Sequence, residues 1–600
     1  MFKYMIHNAQ LTPMNYELNS EQNKKKLSSW EAIQGLWLLL SGEQSILIYA
    51  GIVTLANSLI NLTAPLLIAH VVDTYIVAKQ FSGVMMFALI LLSLYFVGLF
   101  TSYAQTRLMG GMGQRVLFNL RTKIFSKLQE LPVAFFNANK AGDLISRINN
   151  DTDKLNQFFS QTLVQFVGSI VIMFGAAIFL LAINLKLGLA TLAPAAILFI
   201  FTRLLSSWVK RSNATSLTST GGLSAEVSES INNFKVVVAF NRRDFFRKRF
   251  QVANDDNYKS AVIAGIANNT FTPVFGLSAN IAQLVVLAYG MYLITAGSFT
   301  IGLLIGFLSY VTNFYNPLRQ LAVLWSNFQV ALAGWDRISA ILHMQNEMEV
   351  VSLDNGEKYT SNALLEFKDV SFRYTDDKEV LHNVNFVLEQ GKTYALVGPT
   401  GGGKTTTASL MARLYDPSEG TVYLNGHDIR SLGVADRTSK VGFILQEPTL
   451  FSGTVRENIL YGNEAYKDYS NEALVKVIHD AGLESLLVRF EGGLEAKVST
   501  SGDALSLGQK QLIAFMRAVL RNPLLLILDE ATANIDTVTE QLLDDILKKL
   551  PRETTIVIIA HRLNTIENAD EIFFVNAGGI TLAGSMEHAV EMLLHGKRDS

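Results

Sequence analysis

The chain has 600 residues, of which 49% are hydrophobic and only 17% charged, against about 25% charged in an ordinary soluble domain. Its formal net charge of −2 offers no global basic field for nucleic acid, and the absence of Cys removes disulfide frameworks, thiolate zinc sites and cysteine nucleophiles. A disordered chain and a wholly soluble enzyme fit this mix poorly, which leaves a membrane protein carrying a soluble domain.

Residues 1–27 are polar, end in Lys24, Lys25 and Lys26, and lack the apolar core and cleavage site of a secretory signal peptide. Ser28 to Ser41, with Trp30 and Trp37 among leucines, is too short to span and suits a helix lying in the membrane interface. The plainer alternative is the start of the first span. Six apolar stretches follow, near 46–72, 81–105, 158–183, 187–205, 262–296 and 298–318, each long enough to cross about 30 Å of hydrocarbon. None has Asp, Glu, Lys or Arg in its apolar centre, which argues against coupling to an ion gradient.

A few residues join spans 1–2, 3–4 and 5–6, whereas long polar, helix-compatible stretches at about 106–157 and 206–261 join spans 2–3 and 4–5. These long connections hold most of the flanking Arg and Lys, so they and both termini are expected in the cytoplasm. Continued helices would carry each connection about 30–40 Å beyond the bilayer as a hairpin. Asn137 to Asp143 and the region near Glu229 to Lys235 supply the two turns. From Leu364 onward, short apolar strands alternate with helical patterns and Gly-containing turns, as in an α/β domain with a mostly parallel sheet. The expected organisation is a tail and interfacial helix over 1–45, a six-span all-α membrane domain over 46–330, a linker over 331–362 and a nucleotide-binding domain over 363–600.

Gly398-Pro399-Thr400-Gly401-Gly402-Gly403-Lys404-Thr405 matches the phosphate-loop pattern G-x-x-x-x-G-K-[ST] at every fixed position, between an expected strand and an expected helix. Glycines there let backbone N–H groups approach phosphates, and the helix N-terminus adds its positive dipole end. Lys404 would reach the β- and γ-phosphates, and the Thr405 hydroxyl would bind Mg²⁺. Leu524 to Leu528 is a run of five aliphatics, expected as a buried parallel strand, and Asp529 and Glu530 close it. Beside a phosphate loop, Asp529 suits Mg²⁺, and Glu530 suits orienting or deprotonating the attacking water.

With these motifs the chain resembles the ATP-binding-cassette transporters over essentially its whole length. Leu505-Ser506-Leu507-Gly508-Gln509 looks like the family signature LSGGQ, and Ser506 lies 23 residues before Asp529. The resemblance implies that Tyr374 stacks on adenine and that Gln446 contacts Mg²⁺ and the membrane domain. It makes Asp536 the D-loop aspartate and His561 the switch histidine on the γ-phosphate. The implied ATP-binding set is Tyr374, Gly398, Thr400, Gly401, Gly403, Lys404, Thr405 and Thr406, with Glu530, His561 and Gln446 catalytic. Thr405, Gln446 and Asp529 would hold Mg²⁺.

Six spans with long hairpins ahead of one nucleotide domain resemble an exporter half-transporter, and Phe135-Phe136 with Gly142, Asp143 and Arg147 resembles its first coupling region. In the family, ATP lies between two nucleotide domains, so Ser506, Leu507, Gly508 and Gln509 would face the partner's ATP and a second half-transporter chain is implied. Leu507 stands where a glycine normally lets the signature approach the γ-phosphate, and Thr500-Ser501-Gly502 replaces the common Glu-Arg-Gly. The intact Lys404, Asp529, Glu530 and His561 beside these departures resemble one subunit of bacterial heterodimeric multidrug exporters with one degenerate site. A homodimer that tolerates Leu507 is the alternative.

The spans are rich in Phe and carry uncharged Asn57, Asn61, Asn268, Asn269, Asn280 and Asn313. Such a lining suits small lipophilic or amphipathic compounds, although the same amides also serve to bond helices to one another. The expectation is an ATP-driven exporter in a bacterial cytoplasmic membrane, contacting lipids and a lipophilic substrate but no nucleic acid. A homodimeric lipid flippase and a regulatory membrane ATPase are the alternatives.

Overall fold

A computed structural model describes residues 16–18, 29–345, 348, 350, 363–375, 378–499, 505–529, 537–559 and 569–595. The chain divides into two compact units, one of Lys26–Lys127 with Leu144–Leu342 and one of Met1–Lys25, Leu128–Asp143 and His343–Ser600.

The first unit is helical. Helix α1 (Ser29–Leu39) is separate from α2 (Gln44–Val71), and α3 (Phe81–Glu130) runs for 50 residues, about 75 Å at 1.5 Å per residue. After the short α4 (Val133–Ala138), which belongs to the second unit, come α5 (Ala141–Ser146), α6 (Thr152–Gln157) and α7 (Leu163–Ile183). The 48-residue α8 (Leu185–Asn232), α9 (Phe234–Ala239), α10 (Arg243–Asn269), α11 (Phe271–Thr295) and α12 (Ile301–Leu342) complete it. The expected turn Asn137 to Asp143 covers the end of α4 and the start of α5, and the one near Glu229 to Lys235 covers the junction of α8 and α9.

The sequence predicts six spans, and five helical stretches among the described residues are long and apolar enough to cross a membrane: Gln44–Ile76, Phe81–Glu130, Ala141–Ile183, Leu185–Asn232 and Arg243–Thr295. The sixth stretch begins α12, where Tyr310, Asn313, Tyr315 and Asn316 dilute the apolar run. Helix α12 also continues to Leu342, so the first part of the expected linker 331–362 is helical. Thr300 and the Gly302 N–H both donate to Asp73, at 2.5 and 2.8 Å, which fixes the entry to α12 against the end of α2.

Polar pairs zip the second hairpin along its length. Asn213 and Asn268 exchange amide bonds at 3.0 and 2.9 Å, Thr220 donates to Asn257 at 2.9 Å, and Arg249 bridges Glu226 at 2.5 Å and Glu229 at 3.2 Å. The first is tied by Arg121 to Asp153 at 2.9 Å.

In the second unit, β1 (Ala363–Thr375), β2 (Lys378–Glu389), β4 (Glu419–Leu424) and β5 (His427–Asp428) form an antiparallel sheet in the order β2-β1-β4-β5. The larger sheet has β3 (Thr393–Val397), β6 (Val441–Ile444), β9 (Leu525–Asp529), β10 (Thr555–Ile559), β11 (Glu571–Asn576) and β12 (Gly579–Leu582), in the order β12-β11-β3-β10-β9-β6. Only the edge strand β12 is antiparallel. All five residues of β9 are buried, as a parallel strand covered on both faces requires. A short pair, β7 (Gly453–Thr454) with β8 (Lys497–Val498), lies outside both sheets. Among the described residues its helices are α13 (Lys404–Met411), α14 (Val434–Lys440), α15 (Val455–Ile459), α16 (Asn471–Asp480), α17 (Glu484–Leu487), α18 (Leu507–Val519), α19 (Thr537–Leu547) and α20 (Met586–His595).

Candidate nucleotide site

The phosphate loop leaves the C-terminal end of β3 and enters α13 at Lys404, the sheet edge where parallel α/β folds hold their ligands. Gly398, Gly401 and Gly403 have φ of 147°, 83° and 115°, values that side chains rarely adopt. Close approach makes a second demand. A Cβ on Gly398 would be driven into the Val575 carbonyl oxygen, one on Gly402 would lie 2.6 Å from that oxygen, and one on Gly403 would lie 2.8 Å from Leu381 Cδ2. Strand β11 is thus the wall behind the loop, and the Gly578 N–H donates to the Gly402 carbonyl at 3.2 Å. The result is a loop with no room for a side chain at Gly398 or Gly402.

Lys404 is buried, and its Nζ donates to the Gly398 and Pro399 carbonyls at 2.8 and 3.1 Å, so the cation is held at the mouth of its own loop. Thr400 and Thr405 are exposed, while Thr406 is buried with its hydroxyl 3.0 Å from that of Tyr374. The Tyr374 ring is 47% exposed and meets Tyr415 edge-on, with centroids 5.2 Å apart. Burial pushes the Tyr415 phenol above its ordinary pKa, partly offset by a hydrogen bond from Asn137, so it stays protonated. Asp529 is buried at the C-terminal end of β9, against which α13 packs, and Gln446 is exposed just beyond β6. The structure therefore gathers Tyr374, Lys404, Thr405, Thr406 and Asp529 on the elements around one loop. Glu530, Asp536 and His561, like Thr500 to Gly502, lie outside the described residues.

The signature residues sit elsewhere on the unit. They open α18, which packs on β6, and two strands separate β6 from β3. Ser506 caps this helix by accepting from the Gln509 N–H at 3.1 Å, while Gln509 Oε1 accepts from the Ser506 N–H at 3.0 Å. Gln509 Nε2 also donates to the Arg489 carbonyl at 3.1 Å. This reciprocal box satisfies two orphan amide donors and sets the helix start. Leu507 follows as the first helical residue and is 44% exposed.

Sequence reasoning missed Val575, Tyr415 and Asn137, because each acts through a partner distant in the chain. In the spans, the structure uses several expected cavity amides between or along helices. Asn61 donates to Asn57 at 2.9 Å, Asn313 donates to the Asn61 carbonyl at 3.3 Å, and Asn268 pairs with Asn213.

Two family models match the chain: ABC transporter transmembrane region over residues 47–318 and ABC transporter over 381–533. Over 578 residues the chain is 31% identical to an uncharacterised ABC transporter ATP-binding protein of Bacillus subtilis (strain 168), covering 96% of this chain and 95% of that one. It is 30% identical to a multidrug resistance ABC transporter ATP-binding and permease protein of Lactococcus lactis subsp. lactis, over 90% of each chain. It is also 30% identical to an ATP-dependent lipid A-core flippase of Pasteurella multocida, over 95% of this chain and 97% of that one.

Proposed function

The chain belongs to the ABC transporter family and couples ATP hydrolysis to transport across a membrane, and from that premise we propose that it is one half of a dimeric exporter of lipophilic or amphipathic compounds. The observation that carries the nucleotide half of this reading is the loop against Val575, a cradle whose backbone a Cβ at Gly398 or Gly402 would force off that wall. Such a concavity of backbone amides fits phosphate, and the buried Lys404 beside it fits the negative charge. When bound, ATP with Mg²⁺ supplies the phosphoanhydride whose cleavage drives the cycle.

In this reading the chain's own residues divide the work. The amides of Gly398 to Gly403 hold the phosphates, Lys404 neutralises their outer charge, and Tyr374 presents its exposed ring to the base. Thr405, Gln446 and Asp529 hold Mg²⁺. Glu530 accepts the proton of the attacking water, His561 steadies the γ-phosphate and Asp536 faces the partner.

Leu507 favours a heterodimer. Its side chain is exposed at the first turn of α18, so its bulk stands toward whatever approaches the signature, where a glycine would leave room. This chain would then contribute its phosphate loop and Glu530 to the competent site, and Ser506 to Gln509 to the weaker one. The likeness to a lipid A-core flippase supports a second reading, a lipid-moving homodimer. The charge of the long connections supports an orientation with the nucleotide unit in the cytoplasm, and the bacterial relatives support a bacterial cytoplasmic membrane.

The test is native mass and ATP turnover of the chain purified alone in lipid nanodiscs, with Glu530→Gln beside the wild type. A dimer with Glu530-dependent turnover means a homodimer. A monomer or an inactive dimer, rescued by co-expressing a second half-transporter, means a heterodimer. Glu530→Gln is expected to keep ATP binding and lose about 10²–10⁴-fold in turnover, the range for a general base. Undiminished turnover overturns its role.

A further inference from the structure

Helix α4 at the tip of the first hairpin and the exposed ring of Tyr374 belong to the same compact unit, and one residue joins them. Asn137, on α4, donates its Nδ2–H to the Tyr415 hydroxyl at 2.5 Å. Tyr415 follows α13 and is half-buried, with its ring edge-on to Tyr374 at 5.2 Å and 88°, and to Phe372 at 5.6 Å. The Tyr374 hydroxyl in turn lies 3.0 Å from Thr406 in the first turn of α13.

The tip is held from its other side as well. Asn139 is buried, accepts from the Leu18 N–H at 3.1 Å, and donates to the Tyr16 and Phe135 carbonyls at 2.8 Å each. Tyr16 and Leu18 are themselves buried. The tail segment 16–18 therefore clamps the tip two residues from the point where Asn137 meets Tyr415. Helix α3 is unbroken from Phe81 to Glu130, and only Leu131 and Pro132 separate it from α4. A shift of α4 thus has a stiff lever behind it.

We propose that Tyr415 is a positioning residue through which the first hairpin tip senses a base stacked on Tyr374. This rests on the reading of Tyr374 as the adenine contact. The Tyr374 ring is anchored at its hydroxyl to Thr406 and edge-on to Phe372, but it is 47% exposed, and a base lying on it restricts the motion that remains. The fixed ring then holds the edge of Tyr415, and with it the hydroxyl that Asn137 needs as acceptor. By reciprocity, a docked tip pre-orients Tyr374 for the base. The clamp at Asn139 holds the tip from its other side, so a change at Tyr415 acts on α4 itself.

The experiment is hydrogen exchange of residues 131–143 in the full chain in nanodiscs, with and without the non-hydrolysable analogue AMP-PNP, beside calorimetric titration of AMP-PNP. In wild type the analogue slows exchange at the tip. Tyr415→Phe keeps the ring and removes only the hydroxyl. It is expected to weaken AMP-PNP binding by no more than about fivefold, the same factor by which the nucleotide-dependent slowing falls, the size implied by loss of one neutral hydrogen bond. Asn137→Ala gives the same loss, and the double variant adds nothing, because both remove one contact. If Tyr415→Phe keeps the full slowing, or changes tip exchange by the same factor with and without nucleotide, the inference is overturned and Tyr415 is merely structural. Tyr374→Ala separates the two readings. Unchanged AMP-PNP affinity in that variant overturns the adenine contact and this inference with it, whereas weakened affinity alongside an intact Tyr415→Phe response overturns the inference alone.

Discussion

Two alanine substitutions in the same loop separate conformational strain from steric exclusion. Gly401 has a φ of 83° with nothing within 4 Å of a built Cβ, so Gly401→Ala meets only the left-handed penalty of about 1–2 kcal/mol. Reduced freedom in the unfolded chain offsets about 0.4–1 kcal/mol of that. Gly398 has a φ of 147°, and its Cβ would be driven into the Val575 carbonyl, on a residue paired with Ile580 in the β11–β12 ladder. Gly398→Ala therefore carries about 1–3 kcal/mol of backbone strain and about 1–3 kcal/mol or more of overpacking. Its total of about 2–6 kcal/mol is a large share of a typical 5–15 kcal/mol stability. All five Trp residues precede residue 336, outside the nucleotide fold, so intrinsic tryptophan fluorescence does not read this change. Hydrogen exchange of 571–582 and titration with a fluorescent ATP analogue do. Gly398→Ala should loosen β11 and its turn and abolish binding. Gly401→Ala should leave exchange near wild type and weaken binding by no more than about tenfold, the equivalent of about 1.4 kcal/mol. Equal effects of the two would refute Val575 as the wall of the cradle.

Two further outcomes follow from single side chains. Leu507→Gly should raise ATP turnover of the assembled transporter if the leucine obstructs the site it covers, at little cost to folding because the side chain is exposed; unchanged turnover removes the steric support for a degenerate site. Burial, with Glu540 nearby, raises the Asp544 carboxyl above its ordinary 3.8, partly offset by Lys548. The folded state then holds that proton more tightly than the unfolded state, so this group lowers stability progressively as pH rises above 3.8. Asp544→Asn should therefore stabilise the nucleotide unit more at pH 7 than in acid, where the wild-type carboxyl is protonated, and a variant-minus-wild-type difference that stays constant or shrinks as pH rises in a urea titration series would contradict this.

Local chemistry was legible without the fold. Lys404 and its glycines, the aliphatic run into Asp529, and the apolar lengths of the spans are all short-range patterns, and the structure puts each where its period and spacing require. The same local patterns misjudged α12. Its polar residues thin the sixth apolar stretch, yet the helix continues to Leu342 because Phe307, Tyr310, Trp335 and Ile338 are buried against neighbouring elements. The asparagines of the spans were ambiguous for a similar reason, since an amide's role depends on what faces it, and Asn268 faces Asn213.

Short-range patterns in the chain were enough for the inventory: a membrane part, a glycine-rich loop ending in Lys404, a buried carboxylate at a strand end and a helix start with leucine at position 507. These depend on residues within a turn or a strand of one another, where spacing alone fixes which groups meet. Only the tertiary structure decided which distant groups complete the inventory. Val575 backs a loop more than 170 residues earlier in the chain. Asn137 meets Tyr415 across 278 residues, and Asn139 is clamped by backbone 121 and 123 residues before it. Contacts at such separations leave no periodic trace in the chain, because they arise from strand order and helix packing that form only when the whole unit folds.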